Sequence, residues 1–168
     1  MRLSFTLPDE HGTRALAEQL ATLVWVPDVI LLSGDLGAGK TAFARAFIRA
    51  WSADPDTEVP SPTFTLVQPY ETSRGPVWHF DLYRLGDPDE LWELGIEQAF
   101  AEAICLIEWP DRLGSWVPVD RLEITLDLCD QGGSETETAR IANLAGFGSW
   151  EHRLAALQDG TRSAHGGT

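Results

Sequence analysis

Basic residues are scarce in this chain and lysine is nearly missing: of twelve lysines and arginines only Lys40 is a lysine, against 26 aspartates and glutamates. The net charge of −14 repels nucleic-acid backbones, so any RNA-related role is expected to work through a protein partner or a small basic patch. No run approaches the ~20 apolar residues of a membrane span. The N-terminal stretch from Met1 to Pro8 lacks the long apolar segment of a signal peptide, and the expected location is cytoplasmic. Cysteine is limited to Cys105 and Cys129, both in apolar runs with no Cys-x-x-Cys or Cys-His spacing. Two buried thiols are expected there, not metal ligands.

What the chain does have is 43% hydrophobic residues over 168 positions, enough for the core of one domain. Its most informative stretch runs from Val29 to Thr41. Val29 to Ser33 is a short apolar run suited to a strand buried on both faces, and Gly34-Asp-Leu-Gly-Ala-Gly-Lys-Thr41 fits the phosphate-binding pattern G-x-x-x-x-G-K-[ST]. Phe43, Ala44, Phe47, Ile48 and Trp51 then continue at helical spacing, so the glycines lie between a strand and a helix. At average residue usage the pattern arises by chance in under ~1% of chains of this length. Bare glycine backbone lets successive N–H groups converge on phosphate oxygens, and the helix beginning near Lys40 adds its positive end. Lys40 would bridge β- and γ-phosphate oxygens, and the Thr41 hydroxyl would ligate a Mg²⁺ that neutralises them. A compact ammonium suits that task in a chain that elsewhere uses only arginine.

Leu3, Phe5 and Leu7 alternate as a first strand ending at Pro8, and Asp9 can cap a helix carrying Leu16, Leu20, Leu23 and Val24 before Pro27. After a polar linker, 52–60, come two β-rich stretches, 61–71 and 77–85, joined by a short turn; they should pair antiparallel and make the sheet mixed. Strand alternation sets His79, Asp81 and Tyr83 on one face. The pattern from Asp87 to Phe100 predicts one helix with Leu91, Leu94 and Phe100 inward; its many acids read as a solvated face or as a dock for a basic partner. Ala103 to Ile107 is a continuous apolar run, as in a central strand, and Leu122 to Leu128 alternates strictly. Gln131 to Glu137 would turn that strand back into Ala139 to Leu144. A short final helix around Trp150, Leu154 and Leu157 follows, and 159–168 is expected to be a disordered tail behind a domain spanning 1–158.

A nucleotide-hydrolysing site needs acidic oxygen near the metal. Glu108 follows an apolar strand at its carboxyl end, where parallel sheets place ligands; the bland alternative is a strand-end residue in solvent. Asp81 interrupts an aromatic strand, which is costly unless the carboxylate is paired or metal-linked, and an ion pair with Arg84 would also explain it. His79 and Tyr83 could tune Asp81, or simply belong to a packed strand pair. Ser61 and Thr63 resemble a switch segment able to sense the γ-phosphate, although Pro62 alone would give an extended loop. No Asn-Lys-x-Asp stretch is present to recognise guanine, which favours adenine. An arginine-rich lid of the kind that clamps a second phosphate in small-molecule kinases is also lacking.

Four stretches together resemble the bacterial TsaE (YjeE) family: 34–41, Ser61-Pro-Thr-Phe-Thr-Leu-Val67, His79-Phe-Asp-Leu-Tyr-Arg-Leu85 and Ile107-Glu-Trp-Pro-Asp-Arg112. The resemblance extends from Leu7 to about Leu128. It implies a small P-loop ATPase needed for threonylcarbamoyladenosine at position 37 of tRNA, docking on a transferase of TsaD-like and TsaB-like proteins, with tRNA met only through that complex. It implies that ATP is held by Leu36, Gly37, Ala38, Gly39, Lys40 and Thr41, and Mg²⁺ by Thr41 and Glu108. Asp81 and Glu108 would join Lys40 in hydrolysis. Glu10 would lie at the base end of the nucleotide and Trp109 close to the site. Gly132 and Arg140 stand where relatives commonly bring a glycine and arginines near the nucleotide, although the Gln131 to Thr138 turn is acidic here. Ala42 replaces a second threonine often found after the P-loop.

The expected fold is therefore a single α/β domain of P-loop NTPase type, with a mixed parallel and antiparallel sheet flanked by helices. The expected activity is weak or partner-stimulated ATP hydrolysis. A nucleotide-gated adaptor without significant hydrolysis and a small-molecule kinase are the alternatives.

Overall fold

The computed structural model describes residues 1–129 and 139–163, with 159–163 described by backbone alone. The strands are β1 (Arg2–Leu7), β2 (Val29–Ser33), β3 (Val67–Tyr70), β4 (Val77–Asp81), β5 (Ile104–Glu108), β6 (Arg121–Leu128) and β7 (Arg140–Phe147). The helices are α1 (Glu10–Ala21), α2 (Lys40–Ser52), α3 (Glu90–Glu93), α4 (Ile96–Glu102) and α5 (Trp150–Ser163). Among the described residues the strands form one sheet in the order β1-β7-β6-β2-β5-β4-β3. Its centre, β6-β2-β5-β4, is parallel, and antiparallel pairing adds β7 and β1 at one side and β3 at the other.

Both faces of the central strands are covered, which is why β2 and β5 read as unbroken apolar runs. Ile30 and Leu32 point into a core built with α1, α2 and α5, where Leu20, Phe43, Phe47 and Trp150 are fully buried. Val29 and Leu31 point the other way, into a smaller core with Leu91, Ile96, Ala99 and Leu113. By contrast β6 alternates, burying Leu122, Ile124 and Leu126 on one face.

Local signals account for most element boundaries. Asp9 caps α1 by accepting from the Gly12 N–H at 3.0 Å. The helix stops at Ala21 rather than running toward Pro27; Leu23 and Val24 both donate to the Leu20 carbonyl in the tightened turn that follows. Arg153 of α5 donates to the Leu23 carbonyl of that turn and makes a two-pronged ion pair with Asp28, at 2.6 and 2.7 Å, just before β2 begins. That pair is sandwiched between the rings of Trp25 and Trp150.

The single helix expected from Asp87 to Phe100 is two, α3 and α4, broken at Gly95, whose φ is 83°. A Cβ at Gly95 would meet the Trp78 ring of β4 at 3.3 Å, and the positive φ is one that residues with side chains rarely adopt. Leu91 is buried as expected, but Leu94 and Phe100 are half-buried and Ile96 and Ala99 take the inward places. The acids of this segment, Asp87, Asp89, Glu90, Glu93, Glu97 and Glu102, are exposed. Cys105 is fully buried, with its thiol pKa pushed far up by burial, whereas Cys129 at the end of β6 is only half-buried. The turn from Gln131 to Glu137 lies outside the described residues, though the strands it joins pair antiparallel. The expected tail boundary at 159 falls inside α5, and 164–168 lie outside the described residues.

Candidate active site

Between β2 and α2 the chain folds tightly against its neighbours. Gly34 has φ 142°, and a Cβ there would stand 2.4 Å from the Leu126 carbonyl oxygen of β6, so no larger residue fits beside that strand. Gly39, with φ 105°, precedes the first turn of α2 and is overlain by the Arg140 side chain, whose Nε donates to the Ala38 carbonyl at 2.7 Å. These positions require glycine for left-handed backbone and for close approach together.

Lys40 opens α2 and folds back over the loop. Its Nζ donates to the Gly34 carbonyl and, at 2.8 Å, to the Asp35 carbonyl, and lies 4.2 Å from the centre of the Trp109 ring. Burial lowers its pKa, while the charges of Glu108, Asp81 and Asp35 pull it back up. The ammonium is thus held against the loop by two carbonyls and the face of an aromatic ring.

Parallel pairing brings the acids to the same rim. Leu32 of β2 is in register with Glu108 of β5, and Glu108 with Asp81 of β4, so both carboxylates stand at the carboxyl ends of adjacent strands. Glu108 is 2% exposed and Asp81 6%. The Thr41 hydroxyl donates to Glu108 Oε1 at 2.8 Å. The other oxygen, Oε2, is 2.7 Å from His79 Nε2, a ring that is fully buried. Asp81 Oδ1 accepts from the Tyr83 N–H at 3.1 Å and Oδ2 from the Thr63 hydroxyl at 3.3 Å. The expected alternative, an Asp81–Arg84 pair, gives way to these contacts, and the Arg84 guanidinium lies on the Phe64 ring instead, at 4.5 Å.

The resulting cavity has a volume of about 420 Å³, and Leu36, Gly37, Gly39, Lys40, Thr41, Asp81, Glu108 and Trp109 all reach its wall. Ala38 is fully buried under the loop and contributes its carbonyl to Arg140. Glu10 does not reach this cavity. It stands in an adjoining groove of about 510 Å³ between α1 and α2, which shares Gly39 and Ala42 with the first and is also bordered by Arg140. Gly132 lies outside the described residues.

Two features are not visible in the sequence. His79, expected to share a face with Asp81 and either to tune it or simply to pack in the strand pair, reaches across to Glu108; only the β4–β5 pairing reveals this. Trp109 adopts left-handed backbone, φ 58°, directly after β5, which turns its ring under Lys40 and against Tyr83, with ring centres 4.9 Å apart.

The donor set suits Mg²⁺. A hydroxyl and a carboxylate already 2.8 Å apart, with a second carboxylate in the same cavity, are hard oxygen ligands at the mouth of a phosphate loop. Among the described residues no cluster of three or more His, Cys, Asp or Glu forms a metal cage by itself. Mg²⁺ bound through phosphates and water does not require one. Among the same residues no helix is long and apolar enough to cross a membrane.

Comparison with known proteins matches residues 7–137 to the model of one family, described as "Threonylcarbamoyl adenosine biosynthesis protein TsaE". The chain is 41% identical to the tRNA threonylcarbamoyladenosine biosynthesis protein TsaE of Rickettsia felis, over 74% of this chain and 72% of the relative. With the protein of the same name from Bacillus subtilis it shares 34% identity, over 84% of this chain and 88% of the other. With that of Haemophilus influenzae it shares 40%, over 74% and 81%. Among solved structures, the crystal structure of Bacillus subtilis YdiB superposes with a TM-score of 0.74 at 26% identity, covering 96% of this chain and 97% of that one.

Proposed function

The chain belongs to the TsaE family of threonylcarbamoyl adenosine biosynthesis proteins, and from that premise we propose that it is a Mg²⁺-dependent ATPase of weak or partner-stimulated activity. In this reading it acts in the cytoplasm on a TsaD-TsaB transferase complex, and is required for threonylcarbamoyladenosine modification at position 37 of tRNA. The observation that carries the reading is the 2.8 Å contact between Thr41 and Glu108, made at the wall of a cavity that also holds Lys40. A P-loop hydroxyl and a strand-end acid meeting at a glycine cradle are what triphosphate hydrolysis needs.

Each residue has a task that follows from its chemistry. The loop from Leu36 to Thr41 offers backbone N–H groups to phosphate oxygens, and Lys40 supplies the fixed positive charge. Mg²⁺, when bound by Thr41 and Glu108, would neutralise charge developing on the transferred phosphoryl group. Asp81, oriented by the Tyr83 N–H and the Thr63 hydroxyl, is available to orient an attacking water. Thr63 belongs to the Ser61-Pro-Thr segment, so contact with the γ-phosphate would be felt by that loop and thence by a docked partner. Glu10 would meet the base end of the nucleotide, a reading supported by its groove adjoining the cavity at Gly39 and Ala42. The chain's net charge of −14 agrees with tRNA being held by the partners.

The test is a reconstituted modification assay with TsaD-like and TsaB-like proteins, the threonylcarbamoyl donor and tRNA. Multiple turnovers with ATP and arrest after about one with a non-hydrolysable analogue are expected. Equal support by the analogue would favour the nucleotide-gated adaptor. Label from the γ-phosphate appearing on a metabolite instead of as free phosphate would identify a kinase.

A further inference from the structure

We infer that His79 is a positioning residue: its ring N–H, donated from β4 to one oxygen of Glu108, fixes that carboxylate so that its other oxygen meets Thr41. The inference rests on the proposed reading of Thr41 and Glu108 as the Mg²⁺ pair and assigns the group that sets their geometry.

Glu108 ends β5 with a side chain of three rotatable bonds, buried to 2% exposure. A carboxylate in that position must have both oxygens satisfied. The structure divides them cleanly, Oε1 at 2.8 Å from Thr41 Oγ1 on α2 and Oε2 at 2.7 Å from His79 Nε2 on β4. With either partner removed, the side chain could turn toward the other.

In the ionised form that a metal ligand takes, Glu108 only accepts, and the proton of this contact is then the one on His79 Nε2. His79 Nδ1 is buried with no hydrogen-bond partner among the described residues. Held in register between Gln68 of β3 and Leu106 of β5, the ring is fully buried and takes no part in the wall of the nucleotide cavity. It therefore reaches a bound ligand only through Glu108, as the partners of metal-ligating carboxylates do elsewhere.

The readout is the gain in ATP affinity on adding Mg²⁺, measured by calorimetry as the ratio of Kd without the metal to Kd with it. His79→Leu is expected to reduce that gain about 10- to 100-fold, leaving metal-free ATP affinity within threefold. His79→Gln, whose amide can donate from the Nε2 position, is expected to restore most of it. His79→Asn, whose amide stops at the Nδ1 position, is not. Should the leucine variant fail to fold, the contrast between Gln and Asn carries the test. In the free protein, the ¹⁵N spectrum of His79 should show a proton on Nε2, and Glu108→Ala should shift that resonance. An unchanged Mg²⁺ gain in folded His79→Leu, or equal losses in the Gln and Asn variants, would overturn the inference alone. A wild-type protein whose ATP affinity ignores Mg²⁺ would overturn the proposed function and this inference with it.

Discussion

Replacing Lys40 by alanine is the sharpest perturbation available, because the chain has no other lysine to compensate. Hydrogen bonds to charged groups contribute about 1.5–3 kcal/mol each, so an ammonium bridging two phosphate oxygens is worth about 3–6 kcal/mol. In the free protein, however, Nζ already donates to the carbonyls of Gly34 and Asp35. Binding exchanges or shares those bonds rather than creating all of them anew, which places the loss in the lower half of the range, roughly 10²- to 10³-fold in Kd. Calorimetric titration with a non-hydrolysable ATP analogue measures this directly, beside a thermal melt showing that the variant remains folded. The wild-type site should also take up protons on binding at alkaline pH. Burial lowers the Lys40 pKa in the empty site, and a polyanion restores the charged form, so affinity should fall as pH rises through the free-site pKa. Lys40→Ala should lose that dependence. A Kd within threefold of wild type in a folded variant would refute the account of this loop as a phosphate cradle.

Thr41→Val removes the hydroxyl that donates to Glu108 at 2.8 Å; metal-free ATP affinity should hold while Mg²⁺-dependent turnover falls at least about tenfold, as steady-state phosphate release would show. Arg153→Met takes the ion-pair partner from the Asp28 carboxylate, whose side chain is 7% exposed, and leaves it the Trp25 N–H at 2.8 Å. Loss of a buried partner costs about 3–5 kcal/mol, read in a urea titration, and a change below about 1 kcal/mol would contradict the burial argument. Gly34→Ala forces a Cβ to within 2.4 Å of the Leu126 carbonyl oxygen. Since backbone of a paired strand cannot yield cheaply, this variant should be largely insoluble or melt well below wild type; a wild-type melting temperature would show that the loop is looser than described.

Much of the fold could be read because its signals are local. The buried run Val29 to Ser33, the glycines after it and the helical spacing from Phe43 to Trp51 lie within a short stretch, and each obeys short-range sterics or periodicity. The antiparallel pairing of β3 with β4 followed from the shortness of their connection. The long helix expected after Asp87 breaks at Gly95, which takes left-handed backbone packed close to Trp78, a residue distant in sequence. The site divides in the same way. Lys40 and Thr41 were legible as parts of one motif, and Asp81 and Glu108 as acids set against apolar strands.

By itself, then, the amino-acid sequence determined where a glycine loop ending in a lysine and a hydroxyl would lie and which acids were candidates to stand near it, since a glycine loop and a carboxylate ending an apolar strand are local patterns. Only the tertiary structure decided which partner each acid takes. Parallel pairing of β2, β5 and β4 gives Glu108 to Thr41 and His79 and leaves Asp81 to Thr63 and Tyr83. Those contacts depend on strand order and register across the sheet, which long-range packing fixes and which no spacing along the chain encodes.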